Sequence, residues 1–132
     1  MNSLSVSALL ILMFLVGCSQ QGTQTTHDVS SFIDELKANG VDGTLQIKAP
    51  INDDMDYVAT YVISAYTSTR ILTFFKCKDQ EKAEYNLKEA MKNPKLSGQA
   101  RNGTIIMAAT FYPADEEAVG KIRELFTSHK FE

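Results

Sequence analysis

The sequence predicts an α+β fold: two layers, with about four mostly antiparallel strands and the helices on one face, in the order α-β-β-β-α-β-α. Three observations predict it. Apolar residues recur at helical spacing in three separated stretches. Four other stretches read as strand: Tyr57–Tyr66 is rich in Tyr, Val, Ile and Thr, Arg70–Lys78 pairs with it, and Gly43–Ala49 and Thr104–Tyr112 alternate between faces at period two. The first three strand segments are also joined by short polar turns, which favour antiparallel neighbours packed beneath helices.

The first helix is expected over Asp28–Asn39, where Val29, Phe32, Ile33 and Leu36 form one stripe. Asp28 or Ser30 can cap its start. Gly40 suits the left-handed position past its end, with Val41 as the apolar residue that follows. Gly43–Ala49 reads as a half-buried strand, with Leu45, Ile47 and Ala49 opposite Thr44, Gln46 and Lys48, and Pro50 ends it. Asn52-Asp53-Asp54 is a turn.

Tyr57–Tyr66 favours strand by its Tyr, Val, Ile and Thr content, although Met55, Ala59, Val62 and Tyr66 also fit a helical stripe. Thr67-Ser68-Thr69 would turn it into a second strand, Arg70–Lys78, making a hairpin. Asp79 caps a helix to Asn93 with Ala83, Leu87, Ala90 and Met91 inward, and Pro94 follows. Lys95–Arg101 reads as loop and Asn102-Gly103 as a turn. Thr104–Tyr112 is the clearest strand, with Ile105, Met107, Ala109 and Phe111 on one face. Pro113-Ala114-Asp115 opens the last helix, whose stripe is Ala118, Val119, Ile122, Leu125 and Phe126.

Ahead of this domain stands a run of different character. Leu4 to Val16 is apolar except for Ser5 and Ser7. A bilayer span needs about 20 apolar residues, whereas a secretory h-region needs roughly 7–15. Residues 1–26 carry no charged side chain, and residues 19–26 are polar and rich in Gln and Thr. The expected organisation is a signal peptide over residues 1–17, a polar tether over 18–26 and one α+β domain over 27–132.

Leu15-Val16-Gly17-Cys18 resembles the bacterial lipobox. The resemblance implies a diacylglyceryl thioether on the Cys18 sulfur and cleavage between Gly17 and Cys18. Only a thiol forms that bond, and a small residue before it admits the peptidase. Two acyl chains anchor stably where one holds only marginally. The mature chain would sit lipid-anchored on the extracytoplasmic face of the cell membrane.

The stretch from His27 to Gly40, behind a lipobox and a short tether, resembles small, uncharacterised lipoproteins of Gram-positive bacteria. In these a D-V-x-S-F-I-x-x-L-x-x-x-G helix opens a compact α/β domain. Glu81-Lys82-Ala83 and Asn102-Gly103-Thr104-Ile105-Ile106-Met107 continue the likeness. It implies fold and location, and brings no catalytic residue with it.

The chain has 13 basic and 16 acidic residues, all after residue 26, so its net charge is −3 with or without the signal. That balance, with no basic stripe, argues against nucleic acid. With Cys18 committed to lipid, Cys77 has no partner for a disulfide.

No catalytic residue, cofactor motif or metal-ligand set stands out. Asn52-Asp53-Asp54-Met55-Asp56 lacks the glycine and the distant glutamate of a calcium loop, and reads as a solvated turn. Cys77 lies between Lys76 and Lys78, which would activate a thiol. It shares a strand face with Ile71, Thr73 and Phe75, so a buried, inert thiol is expected. His27 and His129 have no ligand at metal spacing and read as tether and terminus residues.

Alternation suggests a candidate contact face. If all helices cover one side, Tyr57, Tyr61, Tyr66, Phe74 and Ile106 turn outward as an apolar patch of the kind that marks interfaces. The expected function is a membrane-anchored, non-catalytic binding module for an envelope or surface protein. Two other classes stand beside it. One is a small hydrolase or other enzyme whose site only folding assembles. The other is a lipid or small-ligand carrier.

Overall fold

A computed structural model describes residues 27–65 and 67–131. The signal peptide, Cys18, the tether and Tyr66 lie outside the described residues. The elements run α1 (Val29–Ala38), β1 (Gly43–Lys48), β2 (Met55–Ile63), β3 (Thr69–Cys77), α2 (Gln80–Met91), β4 (Ser97–Asn102), β5 (Ile105–Tyr112) and α3 (Glu116–Ser128). The fold is α+β, with one antiparallel sheet in the order β1-β2-β3-β5-β4.

Local chemistry places most boundaries. Gly40 takes φ +84°, Val41 N–H donates to the Leu36 carbonyl and Gly40 N–H to that of Lys37. These are the two bonds of a Schellman motif, and they end α1 where the sequence stops being helical. Asp79 accepts from Lys82 N–H at 2.8 Å and Asp115 from Ala118 N–H at 3.1 Å, so both helices begin at a side-chain cap. Asp28 makes no such bond. Its carboxylate takes Lys76 Nζ at 3.1 Å instead. The helical alternative for the second apolar stretch is not adopted: β2 pairs along its length with both β1 and β3.

Two expectations are corrected. The sheet has five strands rather than four, because much of the expected loop Lys95–Arg101 is β4. This edge strand is polar, and its side chains tie down helices on both sides. Gln99 Nε2 donates to the Ala90 carbonyl, and Arg101 reaches Glu84 of α2. Asn102 Nδ2 donates to the Phe126 and His129 carbonyls at the end of α3. A bulge between Ser97 and Ala100 further hides the strand's alternation. At Gly98, where φ is +60°, an added Cβ would stand 2.4 Å from Val119 Cγ1, so strand and helix touch backbone to side chain.

The helices also cover both faces rather than one. α1 and α3 pack with Tyr57, Ala59, Tyr61, Leu72, Phe74 and Met107 in the larger core. α2 packs Ala83 and Leu87 against Met55, Val58, Phe75, Cys77 and Ile106 on the opposite face. The part of that second face over β1 is left open, and Thr44, Gln46 and Lys48 are exposed there.

The proposed outward set is therefore not a surface. Tyr57, Tyr61, Phe74 and Ile106 are all buried, and the last three are fully so. The reason is register. Ala59 pairs with Phe74 and Phe74 with Met107, which puts Phe74, Tyr57 and Tyr61 on the Met107 face. Ile106 pairs with Phe75 on the other face, under α2. The Tyr61 hydroxyl donates to the Val41 carbonyl at 2.7 Å, and the Tyr57 hydroxyl accepts from Val29 N–H at 3.4 Å, so both phenols are partnered.

Phe74→Ala should lower unfolding stability by about 3–5 kcal/mol in urea titration, because it opens a cavity between α1, α3 and the sheet. Ile51→Ser, at a 69 % exposed loop position, should change it by less than about 0.5 kcal/mol. Equal midpoints for the two variants would contradict this packing.

Candidate functional site

The first turns of α1 carry Ser31 and Glu35 four residues apart, so both side chains stand on one helix face. The chain end comes to meet them. Asn102 holds the last carbonyls of α3, and Phe131 packs against Phe32 and Phe126, with ring centroids 6.3 and 5.9 Å apart. His129 is carried between these anchors. Its ring stands edge-on to Phe32 at 5.4 Å and to Phe131 at 4.5 Å.

So placed, His129 bridges the two polar residues of α1. Its Nδ1 lies 2.5 Å from Glu35 Oε1 and its Nε2 lies 2.9 Å from Ser31 Oγ. The imidazole is only 12 % exposed, Glu35 is half-buried, and Ser31 is open to solvent. When Nδ1–H donates to the carboxylate, Nε2 presents its lone pair to the serine hydroxyl. The hydroxyl has one other acceptor, the Asp28 carbonyl at 3.0 Å. A cleft of about 620 Å³ adjoins the imidazole, lined by Asp28, Lys76, Thr104 and Lys130 among others. In it Lys76 Nζ holds Asp28 at 3.1 Å and Thr104 Oγ1 at 2.7 Å.

His129 reads from the sequence as a terminus residue, and the structure places it against Glu35 and Ser31. No local signal marks the constellation, because His129 lies 94 positions from Glu35 and 98 from Ser31. His27 does not join it and packs edge-on against Tyr57 at 4.6 Å.

A second concavity of about 860 Å³ opens at the other end of α1, between Gly40, the β2–β3 connection and α3. Val41, Ile63, Phe111, Ile122 and Leu125 give it apolar lining, and Lys121 and Glu124 add charge. Arg70 also lines it, but is engaged with Asp115 at 2.8 Å and over the Phe111 ring at 5.0 Å.

The remaining sequence candidates fall elsewhere. Asn52 and Asp54 are lashed to α2 through Asn86, at 3.2 and 2.9 Å. Among the described residues no cluster of three His, Cys, Asp or Glu could hold a metal. Cys77 is buried on the α2 face, while Lys76 turns to the opposite face toward Asp28. Burial first, and then the charges of Asp54 and Asp79, push the Cys77 thiol up to about 11 against the weaker pull of Lys76. Among the described residues no helix is long and apolar enough to cross a membrane. Comparison with protein families, curated proteins and solved structures finds no match for this chain.

Two outcomes follow from these environments. Native Cys77 should resist iodoacetamide at about pH 8, where a thiol pushed so high and so enclosed is scarcely ionised, and should label once the chain is unfolded in urea. Rapid native labelling would show an accessible thiolate. The Asp115 carboxyl is held below the usual carboxylate range by Ala118 N–H and then by Arg70. A carboxyl whose folded value is depressed stabilises the fold above its unfolded value, near 3.9, and loses that stabilisation as pH falls through the lower folded value. Urea midpoints should therefore drop on acidification below about pH 4, and drop less steeply in Asp115→Ala.

Proposed function

We propose that this chain is a lipid-anchored extracytoplasmic protein whose folded domain is a binding module for an envelope or surface protein. The observation that carries the reading is Leu15-Val16-Gly17-Cys18 at the end of an apolar run, with the domain beginning at His27. The eight residues between anchor and domain reach roughly 28 Å when extended. The module would therefore stay close to the membrane.

The geometry supports a direction for binding. The tether enters at the N-terminal end of α1, whereas the 860 Å³ groove lies at its C-terminal end, against Asn39 and Gly40. A groove at the far end of the helix suits a partner approaching from outside. Its mixed apolar and charged lining suits a protein segment. The sheet offers no such contact at Tyr57, Tyr61, Phe74 or Ile106, which are core.

Intact mass of the membrane-extracted protein tests the anchor. The expected species begins at Cys18 and carries a diacylglyceryl group, and Cys18→Ser should move the protein out of the membrane fraction with residues 1–17 retained. An unacylated full-length chain in the cytosol would overturn the reading. Crosslinked partners recovered from membranes should be lost in Leu125→Glu. Partners unchanged by that variant would remove the groove from the proposal.

A further inference from the structure

We propose that Ser31, His129 and Glu35 form a nucleophile–base relay that hydrolyses small carboxylic esters at the exposed Ser31 hydroxyl, next to the cleft that His129 lines. This is an activity beyond partner binding, and it does not depend on the lipid anchor. Each requirement of such a relay has a residue. The nucleophile must be reachable, and Ser31 is exposed in the first turn of α1. The base must lie within hydrogen-bond reach of it, and His129 Nε2 is 2.9 Å away. The base must also be fixed in tautomer and orientation. Glu35 at Nδ1 does the first, and the edges of Phe32 and Phe131 do the second. The helix N-terminus places a positive field at the serine, and Lys130 lines the cleft adjoining the imidazole as a cation for the charge that develops on the ester oxygen, while Lys76 there is held by Asp28 and Thr104.

The proton path is complete without any other cofactor. Ser31 Oγ, turned from the Asp28 carbonyl to Nε2, attacks the ester carbon as its proton passes to Nε2. The carbon–oxygen bond to the alcohol breaks and the departing alkoxide takes that proton, leaving an acyl ester on Ser31. Water then gives its proton to Nε2 and its hydroxide to the acyl carbon. Ser31 Oγ leaves and recovers the proton as the carboxylic acid departs. The sum is ester plus water to acid plus alcohol, with no change of oxidation state. Glu35 touches no substrate and is a positioning residue.

The same three side chains could instead be a clasp that only holds the chain end to α1, so the test must separate chemistry from stability. The protein purified from whichever cell fraction holds it is treated with a fluorophosphonate and mapped by mass, and p-nitrophenyl butyrate hydrolysis is followed in parallel. The expected result is one phosphonyl adduct on Ser31 and none on neighbouring Ser30. Hydrolysis should fall at least about 100-fold in Ser31→Ala and His129→Ala. Glu35→Gln should lower kcat with KM retained, and Glu35→Asp should restore part of it. Urea midpoints report whether each variant is folded. A folded wild-type chain with no adduct on Ser31 overturns the proposal. So does labelling that persists in His129→Ala, or variants that lose stability while hydrolysis stays at the wild-type level.

Discussion

Phe74 faces Met107 across the β3–β5 ladder, and its neighbour Phe75 faces Ile106 on the other side of the sheet. This register, together with Ala59 opposite Phe74, aligns the large side chains of three central strands into two apolar layers. Neither layer can be left in water: burial of one such side chain is worth about 1.5–3 kcal/mol. One layer recruits α1 and α3, and the other recruits α2. The positions of the grooves follow from where those helices end.

β4 is the strand that makes the two-sided arrangement hold. It has little apolar surface of its own, and Ala100 is its one buried residue. Its amides and guanidinium reach α2 on one face, and Asn102 reaches the end of α3 on the other. Hydrogen bonds of this kind contribute about 1 kcal/mol each. Their larger effect is positional. Because Asn102 holds the His129 carbonyl, the chain end is directed back across α1, and the imidazole arrives between Ser31 and Glu35.

The candidate site is thus a meeting of the two ends of the described chain. Ser31 and Glu35 come from the first helix and His129 from the residue after the last. The enclosing rings of Phe32, Phe126 and Phe131 belong to the same core that buries Phe74. Site and core share one aromatic cluster, so the packing that buries Phe32 also holds the His129 ring. The groove at the opposite end of α1 is built from the Schellman turn at Gly40 and the outer turns of α3.

Much of this was legible in the residues themselves. The α1 stripe with its Gly40-Val41 stop, the Asp79 and Asp115 starts and the alternation of β5 are all local features. Each is set by backbone geometry, capping or a contiguous motif within a few positions. The pairing of strands was not legible, because period-two alternation says which residues share a face within one strand and nothing about which face of the next strand they join. With that ambiguity alternation alone allows Tyr57, Tyr61 and Phe74 to share a bare face with Ile106, and the register separates them. β4 escaped notice because its side chains serve helices rather than an apolar layer. The Ser31–His129–Glu35 contact lay beyond reach because only the long-range register of β4 and β5, and the aromatic packing it permits, brings the chain's last residues onto its first helix.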